Sequence, residues 1–252
     1  MISVLYTIIG ILLPFFGTAI GAAAVFLFTE RHYSSEKAMS AFAAGVMVAA
    51  SVWSLIVPAT EMCSSMGRLS FLPVLIGIAT GSVIMIISEK IRHIATEKSK
   101  AALPVGKLFV AVTLHNFPEG MAVGLMFSSW LSETGEGALA GAFAFSLAIA
   151  IQNIPEGAII SLPDYAERKS RLRSFGLGVI SGTVEPLGAV LTLVAASLAE
   201  RALPYFFGFA AGTMLYVVAD ELLEKDEKHP LLVPLSFILG FSVMMILDIA
   251  LG

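Results

Sequence analysis

A chain of 252 residues with 57% hydrophobic and only 13% charged residues, at a mean hydropathy of +0.89, cannot cover its own surface in water, where a domain of this size carries about 25% charge. The composition is that of an integral membrane protein. A net charge of −4 excludes a nucleic-acid partner, and the single cysteine, Cys63, excludes an intramolecular disulfide.

A helix needs about 20 apolar residues to cross the hydrocarbon core. Eight stretches qualify. In chain order they are Ile2–Phe28, Ala38–Ala59, Phe71–Ser88, Leu108–Leu131, Ala138–Leu162, Leu172–Leu198, Leu203–Leu223 and Leu231–Leu251. The first has no basic flank, so it reads as a span and not as a cleaved signal. The chain 1–252 is then expected to be a single all-α transmembrane domain.

Lys and Arg accumulate on the cytoplasmic side of a membrane. The loops after spans one, three, five and seven hold thirteen of the fifteen basic residues, from Arg31 and Lys37 to Lys225 and Lys228. The opposite loops hold only Arg68 and Arg201. Eight spans with both termini outside fit this asymmetry, in a cell (inner) membrane. No loop is long enough for a soluble domain. His32, His93 and His229 fall in loops and carry no assigned role.

Span four contains H-N-F-P-E-G, from His115, and span five contains Q-N-I-P-E-G, from Gln152. Residues three or four apart share a helix face. His115, Asn116 and Glu119 therefore share one seam, and Gln152, Asn153 and Glu156 share another. Pro118 and Pro155 have no N–H and free the carbonyls of Leu114 and Ile151. Span six adds Glu185 in S-G-T-V-E-P-L-G. Span two carries A-A-G-V-M (Ala43–Met47) and span seven A-A-G-T-M (Ala210–Met214), in opposite directions across the membrane. Both pairings fit one scheme: spans one to three are an inverted copy of spans six to eight, with spans four and five exchanged between them. Such repeats are characteristic of transporters that bind substrate near the midplane.

Three intramembrane carboxylates without Lys or Arg well inside any span need a positive counter-ion. A bound divalent cation supplies it. One imidazole with amide and carboxylate oxygens suits Zn, Fe, Mn or Ni better than Cu(I). Two ions bridged by Glu119 and Glu156 fit the donor count. Protonated glutamates in interhelical hydrogen bonds are the plain structural alternative. Met47 and Ser51 are candidates for the approach from outside, with core packing the leading reading. Asp220 and Glu221 are candidates for release inside or for interface anchoring. Glu61 could attract cations at the outer mouth, but reads first as a solvated span end. Glu89 and Asp248 read as ordinary span ends. A zinc protease would need H-E-x-x-H, which is missing. An intramembrane metalloenzyme is therefore a weak alternative, while a passive divalent-metal channel stays open beside a carrier.

At these residues the chain resembles the ZIP (Zrt-, Irt-like) family of divalent metal transporters. The marks are H-N-x-P-E-G in span four, the related hexad in span five, E-P-x-G in span six and A-A-G-V-M-x-A-A-S in span two. The resemblance covers essentially the whole chain. It implies uptake of zinc, with cadmium, iron or manganese as further substrates, toward the cytoplasm through a two-metal site in mid-membrane. It implies metal-ligand roles for His115, Asn116, Glu119, Gln152, Asn153, Glu156 and Glu185, an elevator-like movement of one helix bundle against another, and a homodimer. Many members have histidine where this chain has Gln152, and Gln there is similar to the prokaryotic, GufA-like branch. The loop after span three lacks the histidine run of many eukaryotic members, so a metal-sensing role for it is not expected.

Overall fold

The computed structural model describes residues 2–27, 33–99, 107–133, 136–223 and 227–251, and among these the chain is helical almost throughout, with no strand. Span one is α1 (Ile2–Ala22) with a 3₁₀ turn over Ala23–Phe26. Span two is α2 (Tyr33–Ala50), which passes through a π-helical turn at Ser51–Ile56 into α3 (Val57–Met62). A 3₁₀ segment, Ser64–Leu69, leads to α4 (Phe71–Ser99). Its Gly67 has φ 59°, a left-handed value that glycine adopts without a steric penalty. Spans four and five are α5 (Lys107–Glu133) and α6 (Glu136–Arg168). Span six is divided into α7 (Arg171–Gly182) and α8 (Val184–Val194). Span seven is α9 (Ala196–Val217) with a π-helical turn at Val218–Leu222, and span eight is α10 (Leu232–Leu251). The chain is an all-α multi-pass membrane protein.

Seven helices among the described residues are long and apolar enough to cross a membrane. The other expected span, α5, has ample length at 27 residues. Its hydropathy is diluted by His115, Asn116 and Glu119, all of which it buries. Several boundaries differ from the sequence expectation, α6 ending at Arg168 and α9 starting at Ala196 among them. Helix α4 runs to Ser99, eleven residues past Ser88. At 1.5 Å per residue its 29 residues span about 44 Å, beyond a core of about 30 Å. Its last turns therefore extend into the region read as loop; His93 is there, and its side chain lies outside those described, as does the whole of His32. Span six was expected as one helix over Leu172–Leu198 but breaks at Thr183. Pro186 cannot donate to Gly182, and it falls in the first turn of α8, where a missing N–H costs nothing. The Thr183 N–H instead closes a tighter bond on the Ile180 carbonyl (3.1 Å). Pro118 and Pro155 sit inside unbroken helices.

The close helix crossings divide the molecule into two bundles. A Cβ placed on Gly17 or Gly21 of α1 would lie about 2 Å from backbone atoms of α6, and one on Gly124 of α5 would meet Ala189 of α8. Gly77, Gly81, Gly208 and Gly212 join α4 to α9 in the same way, and Gly45 and Gly240 join α2 to α10. Every such contact lies within α1, α5, α6, α7 and α8, or within α2, α4, α9 and α10. Between the bundles the α5–α9 face is made by apolar side chains: Met121 and Ala122 of α5 pack with Leu203 and Phe207 of α9, and Phe117 stands edge-on to Phe206.

The crossings also repeat with inverted order. Gly45 of α2 meets the Phe237 carbonyl of α10, and Gly240 meets that of Phe42. In the other pair Gly212 of α9 meets the Ile78 carbonyl of α4, and Gly81 meets that of Phe209. Phe42 and Gly45 thus stand where Phe209 and Gly212 stand. The A-A-G-x-M pair marks equivalent contacts, and in both helices a π-helical turn starts four residues after the methionine.

Candidate metal centre

Seven polar residues anticipated from the hexads and span six, His115, Asn116, Glu119, Gln152, Asn153, Glu156 and Glu185, are all buried, none more than 1% exposed. They come from α5, α6 and the first turn of α8. The break at Thr183 leaves Glu185 at the start of a helix, with its side chain inside the bundle. Gly120 allows this approach, since a Cβ there would lie 2.0 Å from the Glu185 carbonyl oxygen.

His115 Nε2 is 3.0 Å from Glu156 Oε2. One ligand atom each from His115, Glu119 and Glu156 can be drawn within 4.8 Å of one another. Around this core the amides are oriented by hydrogen bonds. Asn116 Nδ2 donates to Glu185 Oε1 (3.0 Å) and to the Ser181 carbonyl (3.3 Å). Both of its hydrogens are thus engaged, and Oδ1 is left without a hydrogen-bond partner. Gln152 Nε2 donates to Glu119 Oε1 (3.2 Å), which leaves Glu119 Oε2 without one. Asn153 Oδ1, Glu156 Oε1 and Glu185 Oε2 also lack hydrogen bonds, while Glu156 Oε2 faces the His115 imidazole. Buried polar atoms in folded proteins are hydrogen-bonded with few exceptions. A structural polar network would pair these atoms, whereas here a set of oxygen lone pairs beside an imidazole is left for a cation.

The sequence comparisons give the same family. The model described as ZIP Zinc transporter matches residues 96–248, which include both hexads and Glu185. Zinc transporter ZIP11 of Bos taurus is 32% identical, with 93% of this chain and 94% of that protein aligned. The chain belongs to the ZIP zinc transporter family. Zinc transporter ZIPB of Bordetella bronchiseptica is 31% identical over 98% of this chain and 82% of its own. Zinc transporter GufA of Myxococcus xanthus is 29% identical over 79% and 81%, in line with the GufA-like features. Membership places the chain among ZIP transporters and not among enzymes.

This ZIP chain also has an opening toward the centre. A cavity of about 270 Å³ is lined by Trp53, Ser54, Glu61, Phe145, Gln152 and Asp248, among others. The Ser54 hydroxyl donates to Asp248 Oδ1 (2.5 Å) and lies 3.1 Å from Gln152 Oε1. Gln152 thus links the cavity to Glu119, its Nε2 donating to Glu119 and its Oε1 facing Ser54. Glu61 also lines the cavity. Met47 and Ser51 lie deeper, in the apolar core. Ser51 donates to the Met47 carbonyl (2.7 Å) and touches Met214 Sδ (3.6 Å). Asp220 is exposed on the second π-helical turn, and Glu221 shares that turn with its side chain outside those described. Sequence reasoning passed over Ser54 and dismissed Asp248 as a span end. A carboxylate in a cavity with low-dielectric walls concentrates cations. Asp248→Asn is therefore expected to raise the KM for metal uptake about tenfold with little change in maximal rate. Unchanged KM would remove the cavity from the pathway.

Proposed function

We propose that this ZIP chain carries divalent transition-metal ions, zinc foremost, into the cytoplasm through a two-metal centre between spans four, five and six. The oxygen atoms left unpartnered beside His115 carry this reading. Relatives named zinc transporters support zinc as a substrate. Cadmium, iron and manganese suit the same mixed donor set. Ions approach from outside by the Ser54–Asp248 cavity and leave past Asp220 and Glu221. Both termini are outside in this orientation, and the protein works as a homodimer in the cell membrane.

The movement is of an elevator type. Glycine contacts lock each bundle internally, while apolar side chains alone meet at the face formed by Phe117, Met121, Phe206 and Phe207. That face can slide without separating backbones. The metal ligands all ride on one bundle. A passive channel would have no need of such a division.

A protonated imidazole cannot bind a metal. Zinc affinity is therefore expected to fall as the pH is lowered, because protons compete with the metal for the imidazole. Titration of purified protein at several pH values measures this. Affinity that stays flat from about pH 7.5 to about pH 5.5 would contradict His115 as a ligand.

A further inference from the structure

The inverted repeat identifies a residue of the centre that lies outside the hexads and outside span six. Gly120, in the hexad of α5, packs on the carbonyl of Glu185, with 2.0 Å left for a Cβ. Gly157, at the same place in the hexad of α6, packs on the carbonyl of Thr18, also with 2.0 Å. The next contacts agree: Gly188 meets the Phe117 carbonyl, and Gly21 meets that of Ile154. Phe117 and Ile154 are the third residues of their hexads. Thr18 of α1 therefore stands to α6 as Glu185 of α8 stands to α5.

Thr18 is completely buried, and its hydroxyl donates to Glu185 Oε1 at 2.7 Å. The hydroxyl's other polar neighbour is the Pro14 carbonyl, at 3.4 Å. Glu185 Oε1 also accepts from Asn116 Nδ2 at 3.0 Å. Two donors thus converge on one oxygen of the carboxylate; the Asn153 amide also neighbours the carboxylate, but Oε2 has no hydrogen bond. Either donor alone would let the carboxylate turn about its terminal bond. Together they hold Oε1 against the protein and present Oε2 for a cation. The backbone of Thr18 is itself fixed by Gly157, so the hydroxyl cannot follow a moving carboxylate.

We propose that Thr18 is a positioning residue of the metal centre: its hydroxyl, at the pseudo-symmetric counterpart of Glu185, orients the Glu185 carboxylate toward the metal and thereby sets the affinity of the Glu185 side of the site. This rests on Glu185 being a metal ligand, as in the function proposed above. Removing a hydrogen bond that orients a metal ligand weakens binding by about 10- to 100-fold in other metal sites. The same loss is expected for Thr18→Val, which keeps the branched shape. Thr18→Ser, which keeps the hydroxyl, is expected to retain wild-type affinity.

The test is zinc titration of the purified full chain in detergent, for wild type, Thr18→Val, Thr18→Ser, Glu185→Gln and the Val/Gln double variant. The quantity read is the binding step that Glu185→Gln weakens. Thr18→Val should weaken that step, Thr18→Ser should not, and Thr18→Val should add nothing in the Glu185→Gln background, because coupled residues are non-additive. If the valine is not accommodated beside Gly182, where an added Cβ would lie 3.0–3.3 Å from the Thr18 side chain, Thr18→Ala replaces it. Equal affinity of Thr18→Val and wild type would overturn the proposal. So would a loss that persists in the Glu185→Gln background, or one that Thr18→Ser shares, since either assigns Thr18 to helix packing. Zinc binding by wild type that Glu185→Gln leaves unchanged would overturn Glu185 as a ligand and Thr18's role with it. No zinc binding by wild type would overturn the function itself.

Discussion

Glu156→Ala is expected to lower zinc affinity at least about 100-fold, more than removal of an orienting group achieves, and to abolish transport. Glu156 has two buried oxygens, Oε1 without a hydrogen bond and Oε2 3.0 Å from the imidazole of His115. It belongs to the one cluster among the described residues in which three His, Cys, Asp or Glu side chains can close on an ion. As a bridging ligand it would serve two ions, so one substitution removes contacts from both. The methyl group of alanine offers no ligand atom, and the cluster of three is reduced to His115 and Glu119. Zinc titration of purified Glu156→Ala, checked for native helicity and oligomeric state, measures the effect. Wild-type affinity in that variant would return the cluster to a structural role.

The second large effect is expected from a methyl group. Gly120→Ala would set a Cβ 2.0 Å from the Glu185 carbonyl oxygen, with the backbone of α8 on the other side. No flexible side chain is there to yield, so α8 must move away by an ångström or more, and Glu185 moves with it. Overpacking of this kind costs about 1–3 kcal/mol, occasionally more. The melting temperature in detergent should fall, and transport should fall further because a ligand is displaced. Gly141→Ala is the matched control, since nothing lies within 4 Å of a Cβ at Gly141. Its stability and transport should equal wild type. Equal stability of the two variants would show that the α5–α8 crossing is looser than the glycine contacts imply.

Much of this was legible in the sequence, for physical reasons that also mark where legibility stopped. Helices that face lipid must be apolar over a fixed length, so the spans could be read from hydropathy alone. The paired hexads stood out because polar groups in such a setting are costly and need a reason. Proline gave an ambiguous signal: Pro118 and Pro155 sit inside continuous helices, while Pro186 opens a new one, after the Thr183 N–H has turned to the Ile180 carbonyl. The cavity beside Gln152 was not read from the sequence, where core packing was the leading reading of Met47 and Ser51. Met47 and Ser51 have the right helical spacing, but the π-helical turn at Ser51–Ile56 adds a residue to the turn and presents Ser54 instead. Thr18 and Asp248 carry no local signal at all. A buried threonine in an apolar helix and an acid at a span end are ordinary, and only the contacts of the folded chain assign them to the centre.

The most direct test of the central claim is metal uptake by the purified protein in liposomes, with zinc, cadmium, iron(II), manganese and magnesium as substrates. Saturable uptake of transition metals, zinc foremost and magnesium last, lost in Glu156→Ala, is the predicted result. No uptake of any metal by folded, correctly inserted protein, or uptake that Glu156→Ala leaves unchanged, would contradict it.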